Sequence, residues 1–430
     1  MSLSPLSSPG AQPATPPAPG VLIILAAPNV SEQMGGEAMK ALQIFLELHR
    51  LAPQTLQITH ARNRAELSAR SDMAQVLFVE DTAVSRLLWR LRPLRALLDP
   101  WFSWQSARLA RRIARQHPGM AVVLWQTEPN SPVAPRARLA GHLNVAGPIN
   151  GNIYYPPDFQ PHESRSARLR RQWHMPLQRW LGALGLSLRR FDLIFVAGGE
   201  RTRVSLQASG CRATQMTDSL DCGVKASLLA RPRVVQQGHN GRYVHFGRLV
   251  FHKGTRLIIE AVKRAEASVS LDIVGRGPEL AACQQLVAQL GLGERVRFID
   301  WYPSHEALLD TLGQYRGLVL PSIEDANGIV VQEAMALGLP AICLDWGGPQ
   351  LLIEDGVSGY LVPAGAPERI AADLAERMQR LAADGALAER MSVAARQQAQ
   401  GWRWDHTAQH WLDEIMRRLG RVVQPAAARA

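Results

Sequence analysis

Short apolar runs alternate with longer segments of mixed polarity through most of this 430-residue chain. Continuous apolar runs of about four to eight residues, bounded by turn residues, are typical of buried strands in parallel sheets. A run followed by apolar residues three and four apart predicts a strand that leads into a helix. In the first half, the pattern predicts a helix from Gly35-Gly36 through Leu48 and strands at Val21–Ala26, Leu56–Thr59, Gln75–Val79, Ala121–Trp125 and Leu193–Val196.

The second half repeats this alternation. Val244–Leu249 predicts a strand, and the apolar stripe within Leu257–Val262 predicts the buried face of the next helix. The run Leu318–Leu320, which Pro321 ends, predicts a second strand that a loop joins to a helix from about Ile329. Both halves therefore favour an α/β fold built on parallel sheets.

Two carboxylates, Asp325 and Glu333, lie in the segment PSIEDANGIVVQEAMALGLP that starts at Pro321. Asp325–Gly328 form the loop at the strand's carboxyl end, which is where open α/β sheets bind ligands. Backbone N–H groups at the start of the following helix carry a partial charge of roughly half an elementary unit, which suits a pyrophosphate. Glu333 can accept hydrogen bonds from ribose hydroxyls, and Asp325 can accept them from a second polyol such as a sugar ring. The loop therefore predicts a sugar-nucleotide site.

Two cations follow the strand Val244–Leu249. Arg248 and Lys253 converge at its loop, where a guanidinium gives paired hydrogen bonds to phosphate oxygens and an ammonium gives a compact charge. Each charge-assisted bond contributes about 1.5–3 kcal/mol. Together these side chains are expected to stabilise a nucleoside diphosphate as it leaves.

Five motifs occur in a fixed order: GRL-x3-KG from Gly247, LDIVGRGPE from Leu271, VRFIDWYP from Val296, the two-carboxylate loop, and GGPQLLIEDGVSGYLV from Gly347. In this order they resemble the GT-B glycosyltransferases of the large retaining family 4, continuously from about residue 243 to residue 363. That family usually carries Glu at both acidic positions. Alignment through Pro321 and Gly328 puts Asp325, and not Glu324, at the first of them.

The resemblance implies an α/β fold of GT-B type, with two Rossmann-like domains facing each other across a cleft. It implies retaining transfer of a sugar from a UDP- or GDP-linked donor to a hydroxyl of a saccharide or lipid-linked acceptor in cell-surface polysaccharide biosynthesis. Beyond that co-substrate, no cofactor is expected. The implied catalytic residues are Arg248, Lys253, Asp325 and Glu333, and the implied donor-binding residues are Gly35, Gly36, Gly247, Gly275, Ile299, Asn327, Gly328, Ile329, Val330, Gly347 and Gly348.

Some features of the family pattern have no clear counterpart. Many members carry a histidine after the fourth or fifth N-terminal strand, whereas this chain has VVLWQTEPNSPVAP there, so Trp125, Gln126, Thr127 and Glu128 stay open as substitutes. His142 lies nearby and is interpreted as an ordinary histidine. No Asp-x-Asp pair precedes the donor site, so metal-independent stabilisation of the leaving group is expected.

Two other function classes remain open. A NAD-type oxidoreductase shares the α/β architecture, but neither strand-to-helix loop carries G-x-G-x-x-G. A catalytically inactive GT-B-like binding or scaffold protein fits the departures from the family pattern. Gly35-Gly36 have a purely structural alternative as well, because paired glycines often only make a tight turn.

Composition predicts the domain organisation. Residues 1–20 are rich in Pro, Ala and Ser without an apolar core, which predicts a flexible tail and not a signal peptide. Residues 21–225 are expected to form the N-terminal acceptor-side domain, 240–400 the nucleotide-sugar domain, and 401–430 a helix that packs back on the first domain. The four cysteines show no metal-ligand spacing and predict reduced thiols in a cytoplasmic protein.

The net charge of +11 lies entirely in the first 225 residues. Its densest part is 85–116, where eight arginines and one acid interleave with Leu, Phe102 and Trp residues that include Trp101 and Trp104. Such a segment favours an anionic membrane surface, peripheral on the inner face of the cytoplasmic membrane, and a second basic run follows at Arg165–Arg171. The alternatives are a solvated helix face and a nucleic-acid surface, but no nucleic-acid module is visible.

Overall fold

The structure, a computed structural model, describes residues 20–32, 34, 36–70, 75–127, 136–151, 154–236, 238 and 240–427. The described residues fall into two compact units. Unit 1 comprises those within Met1–Gln126, Ala137–Asn144 and Ala408–Ala430, and unit 2 those within Thr127–Arg136 and Val145–Thr407.

The strands are short and mostly buried, as the apolar runs predict. They are β1 Val21–Ala26, β2 Leu56–His60, β3 Val76–Val79, β4 Ala121–Gln126, β5 Leu143–Ile149, β6 Leu193–Val196, β7 Met216–Asp218, β8 Arg242–Phe246, β9 Ser270–Val274, β10 Val296–Ile299, β11 Gly317–Leu320, β12 Ala341–Leu344 and β13 Gly359–Val362.

The helices follow the strands in alternation through most of the chain. They are α1 Gly36–Leu51, α2 Arg64–Ser68, α3 Ala83–Arg90, α4 Leu98–Gln116, α5 Arg165–Ala183, α6 Gly199–Ala208, α7 Ala226–Ala230, α8 Thr255–Arg264, α9 Leu280–Gln289, α10 His305–Thr311, α11 Ile329–Ala336, α12 Pro367–Ala383, α13 Gly385–Gln400 and α14 Trp404–Ala427.

In unit 1, parallel strands follow the order β3-β2-β1-β4. Their core includes Leu22, Ile24 and Leu124, against which the buried side of α4 packs through Phe102 and Ala110. At the carboxyl end of the chain, Trp411 of α14 packs edge-to-face on Trp125 of β4, with ring centroids 5.5 Å apart.

In unit 2, β5, β6 and β7 are parallel neighbours, and a further six-stranded parallel sheet has the order β10-β9-β8-β11-β12-β13. That order corresponds to 3-2-1-4-5-6 of the doubly wound nucleotide-binding fold, whose ligands bind where the strand order reverses. The reversal falls between β8 and β11, so the loops after these two strands are the expected location of a ligand.

The observed elements differ from the predicted ones mainly at their ends. The predicted strand Val244–Leu249 is wrong in its bounds: β8 runs from Arg242 to Phe246 because Gly247, with φ +143°, takes the backbone out of the ladder. Segment 85–116, whose secondary structure the sequence left open, spans two helices, since a 3-10 turn at Arg92–Leu97, with Pro near its start, separates α3 from α4.

Candidate functional site

The acidic loop joins β11 to α11 within unit 2. Gly328 ends it with φ +67°, a left-handed conformation that costs glycine little, and helical geometry starts at Ile329. Within the loop, Asp325 Oδ1 accepts hydrogen bonds from the backbone N–H groups of Gly328 at 3.3 Å and Asn327 at 3.5 Å. The first predicted carboxylate is therefore fixed by the turn that precedes the helix.

The structure brings the predicted cation and the predicted acid together. Lys253 Nζ donates to Asp325 Oδ2 at 2.6 Å, and the two side chains are 23% and 15% exposed. The backbones are also tied, because Ile323 N–H and Ser322 Oγ donate to the carbonyl of His252 at 2.8 and 3.0 Å. A ligand phosphate that accepts a hydrogen bond from the Lys253 ammonium would therefore have to compete with Asp325 or bind beside it.

Glu333, the second predicted acid, has a partner that sequence reasoning missed. Its Oε1 lies 2.8 Å from Nε2 of His305, the first residue of α10. The hydrogen bond that His305 donates to Glu333 raises the pKa of His305 above its usual value and outweighs the opposing effect of burial. No spacing signal identifies His305, because it lies 28 residues from its partner and meets it only through the fold.

Arg248 and the glycines at the ends of β8 and β9 occupy the neighbouring loop. Arg248 is exposed, and its charge contributes to lowering the pKa of His252, after burial and Lys253. A Cβ on Gly275, whose φ is +141°, would overlap the carbonyl oxygen of Gly247. Gly275 N–H donates to the carbonyl of Ile299 at 3.0 Å. The predicted donor-binding positions of β8, β9 and β10 are thus backbone neighbours.

One polar atom in the acidic loop lacks a partner within the described part of the chain. Nδ2 of Asn327 is buried and has no hydrogen bond there. A buried amide donor without an acceptor carries a free-energy cost that a ligand oxygen would offset. The side-chain amide of Asn327 and the backbone N–H groups of Ile329 and Val330 are therefore hydrogen-bond donors at the same turn.

Gly347 and Gly348, predicted to allow close approach of a sugar, instead approach the acidic loop. Cβ atoms at these positions would come too close to the carbonyl oxygens of Asp325 and Ala326, and Gly348 N–H donates to the Asp325 carbonyl at 2.7 Å. Backbone packing thus accounts for both glycines. Their donor contact stays a prediction.

The predicted N-terminal residues give a mixed picture. Gly35 and Glu128 lie outside the described residues, and Gly36 is the exposed first residue of α1 in unit 1. Trp125 is fully buried in the core of unit 1. Among the candidates for the missing histidine's role, Gln126 and Thr127 each have a buried polar side-chain atom with no hydrogen-bond partner among the described residues.

The sequence indicates that His142 is an ordinary histidine. Burial lowers its pKa below the usual value. Its backbone carbonyl accepts a hydrogen bond from Asn144 Nδ2 at 2.8 Å.

A pocket of about 440 Å³ opens beside the acidic loop, entirely within unit 2. Four rings and three charged side chains line it, and burial raises the pKa of Glu324 above its usual value. Sequence reasoning assigned no role to Glu324, the neighbour of Asp325, and only the fold shows that the two carboxylates serve different places. The lining residues are Tyr154, Tyr155, His162, Glu163, Ser164, Ala167, Arg170, Phe251 and Glu324.

Two negative findings concern only the described residues. Within them, no three or more His, Cys, Asp or Glu side chains are grouped as a metal ion would require. None of their helices combines the length and the apolar composition needed to cross a membrane.

Comparison with known proteins matches this chain to a glycosyltransferase family and to individual glycosyltransferases. Residues 232–398 match the family described as glycosyl transferases group 1. The D-inositol 3-phosphate glycosyltransferase of Streptomyces bingchenggensis is 33% identical over 150 residues, which cover 32% of this chain and 30% of that protein. The GDP-mannose-dependent α-(1-6)-phosphatidylinositol monomannoside mannosyltransferase of Mycobacterium tuberculosis is 28% identical over 329 residues, covering 70% of this chain and 77% of that protein.

Solved structures extend the likeness to most of the chain. Anabaena Alr3699/HepE in complex with UDP has a TM-score of 0.63 at 18% identity, covering 92% of this chain and 99% of that one. A likeness at this identity shows the fold alone, which is the predicted α/β class with two Rossmann-like parallel sheets of GT-B type. Residues 232–398 thus match the glycosyl transferases group 1 family, and the fold of the chain is of GT-B type.

Proposed function

We propose that this protein is a retaining glycosyltransferase that moves a sugar from a UDP- or GDP-linked donor to a hydroxyl acceptor. The observation that carries the proposal is the pairing of Lys253 with Asp325 at the loops where the strand order reverses, with Glu333 in the helix that follows the acidic loop. Relatives support the donor class, since one is GDP-mannose-dependent and a structural neighbour holds UDP.

The donor's diphosphate is assigned to the cationic side of the site. Lys253 and Arg248 supply positive charge, and the N-terminal amides of α11 supply further donors to phosphate oxygens. Asn327 Nδ2 provides one more buried donor. These groups neutralise the charge that develops as the diphosphate leaves, without a metal ion in the proposed scheme.

The two acids hold the hydroxyl-rich ends of the donor. Glu333 accepts hydrogen bonds from the ribose, and His305 holds its carboxylate in place through the 2.8 Å hydrogen bond. Asp325, anchored by Lys253 and by the loop amides, faces the transferred sugar. In this proposal, donor recognition is divided between the loop before α11 and the first turns of the helix.

The aromatic pocket beside the loop is assigned to the acceptor. Tyr155 and Phe251 have ring centroids 6.0 Å apart, and such rings pack against the apolar faces of sugars. Glu324 adds a carboxyl group that hydrogen-bonds hydroxyls. In the proposed reaction the acceptor oxygen bonds to the anomeric carbon on the face that the diphosphate leaves. The anomeric carbon–phosphate oxygen bond breaks, and the departing phosphate takes the acceptor proton.

A membrane-bound acceptor is proposed from the basic segment 85–116. Its exposed side chains include Leu87, Trp89, Leu97 and Trp104, at 46–57% exposure, whereas Phe102 is buried and anchors α4. Each arginine near anionic headgroups contributes on the order of 1 kcal/mol. A lipid-linked glycan precursor on the inner face of the cytoplasmic membrane fits this surface. Vesicle cosedimentation with the arginines of 85–116 replaced by Gln tests it, and unchanged binding contradicts it.

Titration calorimetry with UDP- and GDP-sugars, combined with an assay for released nucleoside diphosphate, tests the proposed transfer. Donor binding followed by release, lost in Glu333→Ala, is the expected result. Binding without release from any donor and acceptor panel favours an inactive scaffold. A protein that ignores both nucleotides and instead binds NAD contradicts the proposal.

A further inference from the structure

Helix α5 carries an exposed apolar stripe in unit 2. Its members are separated by four, four, three and four residues, so at 100° per residue they fall within an arc of about 80°. Each is between 49% and 61% exposed. Because they share one side of the helix, they form a continuous stripe and are not scattered single residues. The stripe consists of Leu169 at 58%, Trp173 at 61%, Leu177 at 49%, Trp180 at 59% and, directly after the last helical residue, Leu184 at 55%.

The fully buried residues of the helix are polar or small, although Met175 and Leu181 are half-buried on the same side. Its buried positions are Gln178 and Gly182, which lie opposite the stripe. Gln178 accepts a hydrogen bond from Ser205 Oγ of α6, and a Cβ on Gly182 would overlap the backbone of Ser209. An amphipathic helix of a globular domain normally turns its apolar face to the core. In α5 the apolar face is directed outward.

Charge flanks the stripe on both sides. From Arg165 to Arg190 the chain has seven arginines and no acidic residue. Arg170 lies on one side of the stripe and Arg165, Arg168 and Arg179 on the other, and all four are exposed. Arg171 turns toward the protein, where Glu163 accepts its Nε–H at 3.0 Å, and Arg170 also lines the pocket that contains Glu324.

We propose that the outward face of α5 binds an anionic membrane surface. Tryptophan and leucine between arginines suit the boundary between headgroups and acyl chains, where the rings and aliphatic side chains enter and the guanidinium groups meet phosphates. A second protein surface would need acidic groups to match the four exposed arginines, and a second copy of this helix would bring like charges together. The 19-residue helix is about 28 Å long and lies in the plane of the interface.

The position of α5 gives this docking a consequence for the pocket. Ala167 and Arg170, in the first turns of the helix, line the pocket that also contains Glu324. A helix lying on the bilayer therefore holds that pocket close to the headgroups. The proposal does not depend on sugar transfer, and it concerns a different surface from segment 85–116.

Cosedimentation of the full chain with vesicles tests the proposal. The probes are phosphatidylcholine vesicles with and without one third phosphatidylglycerol. Wild type is expected to bind the anionic vesicles, and Trp173→Ser/Trp180→Ser is expected to weaken that binding by about tenfold or more. Arg168→Gln/Arg179→Gln should lower binding to the anionic vesicles and reduce its dependence on salt.

The matched control replaces two apolar residues that are similarly exposed elsewhere in unit 2. Val357→Ser/Val393→Ser, at sites 47% and 46% exposed, should bind vesicles like wild type. Thermal unfolding and UDP binding of each variant check that the fold and the nucleotide site are intact. Loss of vesicle binding can then be distinguished from a failure of the proposed sugar transfer. Wild-type vesicle binding by Trp173→Ser/Trp180→Ser overturns the proposal. Conversion of a dimer to a monomer by that variant, without loss of vesicle binding, also overturns it and identifies a self-association face.

Discussion

Lys253→Met removes the ammonium that joins the two loops of the site. In the proposed reaction the lost interaction is one charge-assisted hydrogen bond to the departing phosphate, about 1.5–3 kcal/mol. Because about 1.4 kcal/mol corresponds to a factor of ten, kcat/KM should fall about 10- to 150-fold. The same change leaves Asp325, 15% exposed, without its 2.6 Å partner. Asp325 keeps the hydrogen bonds from the backbone N–H groups of Gly328 and Asn327, so the unfolding free energy should fall by only about 1–3 kcal/mol.

The assay follows release of nucleoside diphosphate, with urea unfolding and UDP calorimetry on the same preparation. Lys263→Met on α8 is the matched control, because it removes an exposed lysine from the same unit without touching the acidic loop. Lys253→Met/Asp325→Asn, measured together with both single variants, completes a double-mutant cycle that separates the energy of the ion pair from other effects on stability. Wild-type kcat/KM in Lys253→Met would refute the assigned role of the lysine. An equal loss in Lys263→Met would show that the effect is not specific to the site.

Three further changes test the site and its frame. Because the pKa of His305 is raised above 6.5, its cationic pair with Glu333 is present at low pH and is lost as the pH rises through the raised pKa. UDP affinity should therefore fall as the pH rises above 6.5. His305→Asn should flatten this pH dependence in calorimetry. Burial lowers the pKa of His245 to about 4, so the unfolded chain binds more protons than the folded chain between pH 6.5 and 4. The unfolding free energy should therefore fall by up to about 3 kcal/mol as the pH drops through this range. In urea unfolding, His245→Gln should lose this pH dependence. Gly275→Ala forces a Cβ into the Gly247 carbonyl at φ +141° and should destabilise by at least about 1–3 kcal/mol, whereas Gly293→Ala, with open space around it, should stay within about 1 kcal/mol of wild type in the same experiment.

Local sequence was sufficient to predict the loop that carries the site. The apolar run Leu318–Leu320 is too short for a helix, Pro321 ends it, and Gly328 supplies the left-handed residue before Ile329. Each of these effects acts over a few residues, so strand, loop and helix were placed almost at their observed bounds. The end of β8 was misplaced because nothing in the local pattern shows that Gly247 leaves the sheet.

The partners of the site residues depended on contacts between distant parts of the chain. Lys253 and Asp325 are 72 residues apart, and His305 and Glu333 are 28 apart, so no periodic pattern relates them. The separate environments of Glu324 and Asp325 also follow from which way the loop turns, which sequence alone does not give.

Helix α5 shows the same division. By itself the sequence determined that Arg165–Arg171 form a basic run, and it determines equally the stripe that contains Trp173 and Trp180, because composition and spacing are local properties. Only the tertiary structure decided that Gln178 and Gly182 face the protein, since close backbone approach at Gly182 and the Ser205 hydrogen bond select the side that docks. An amphipathic pattern specifies two faces of a helix, and packing against the rest of the chain determines which one meets the solvent.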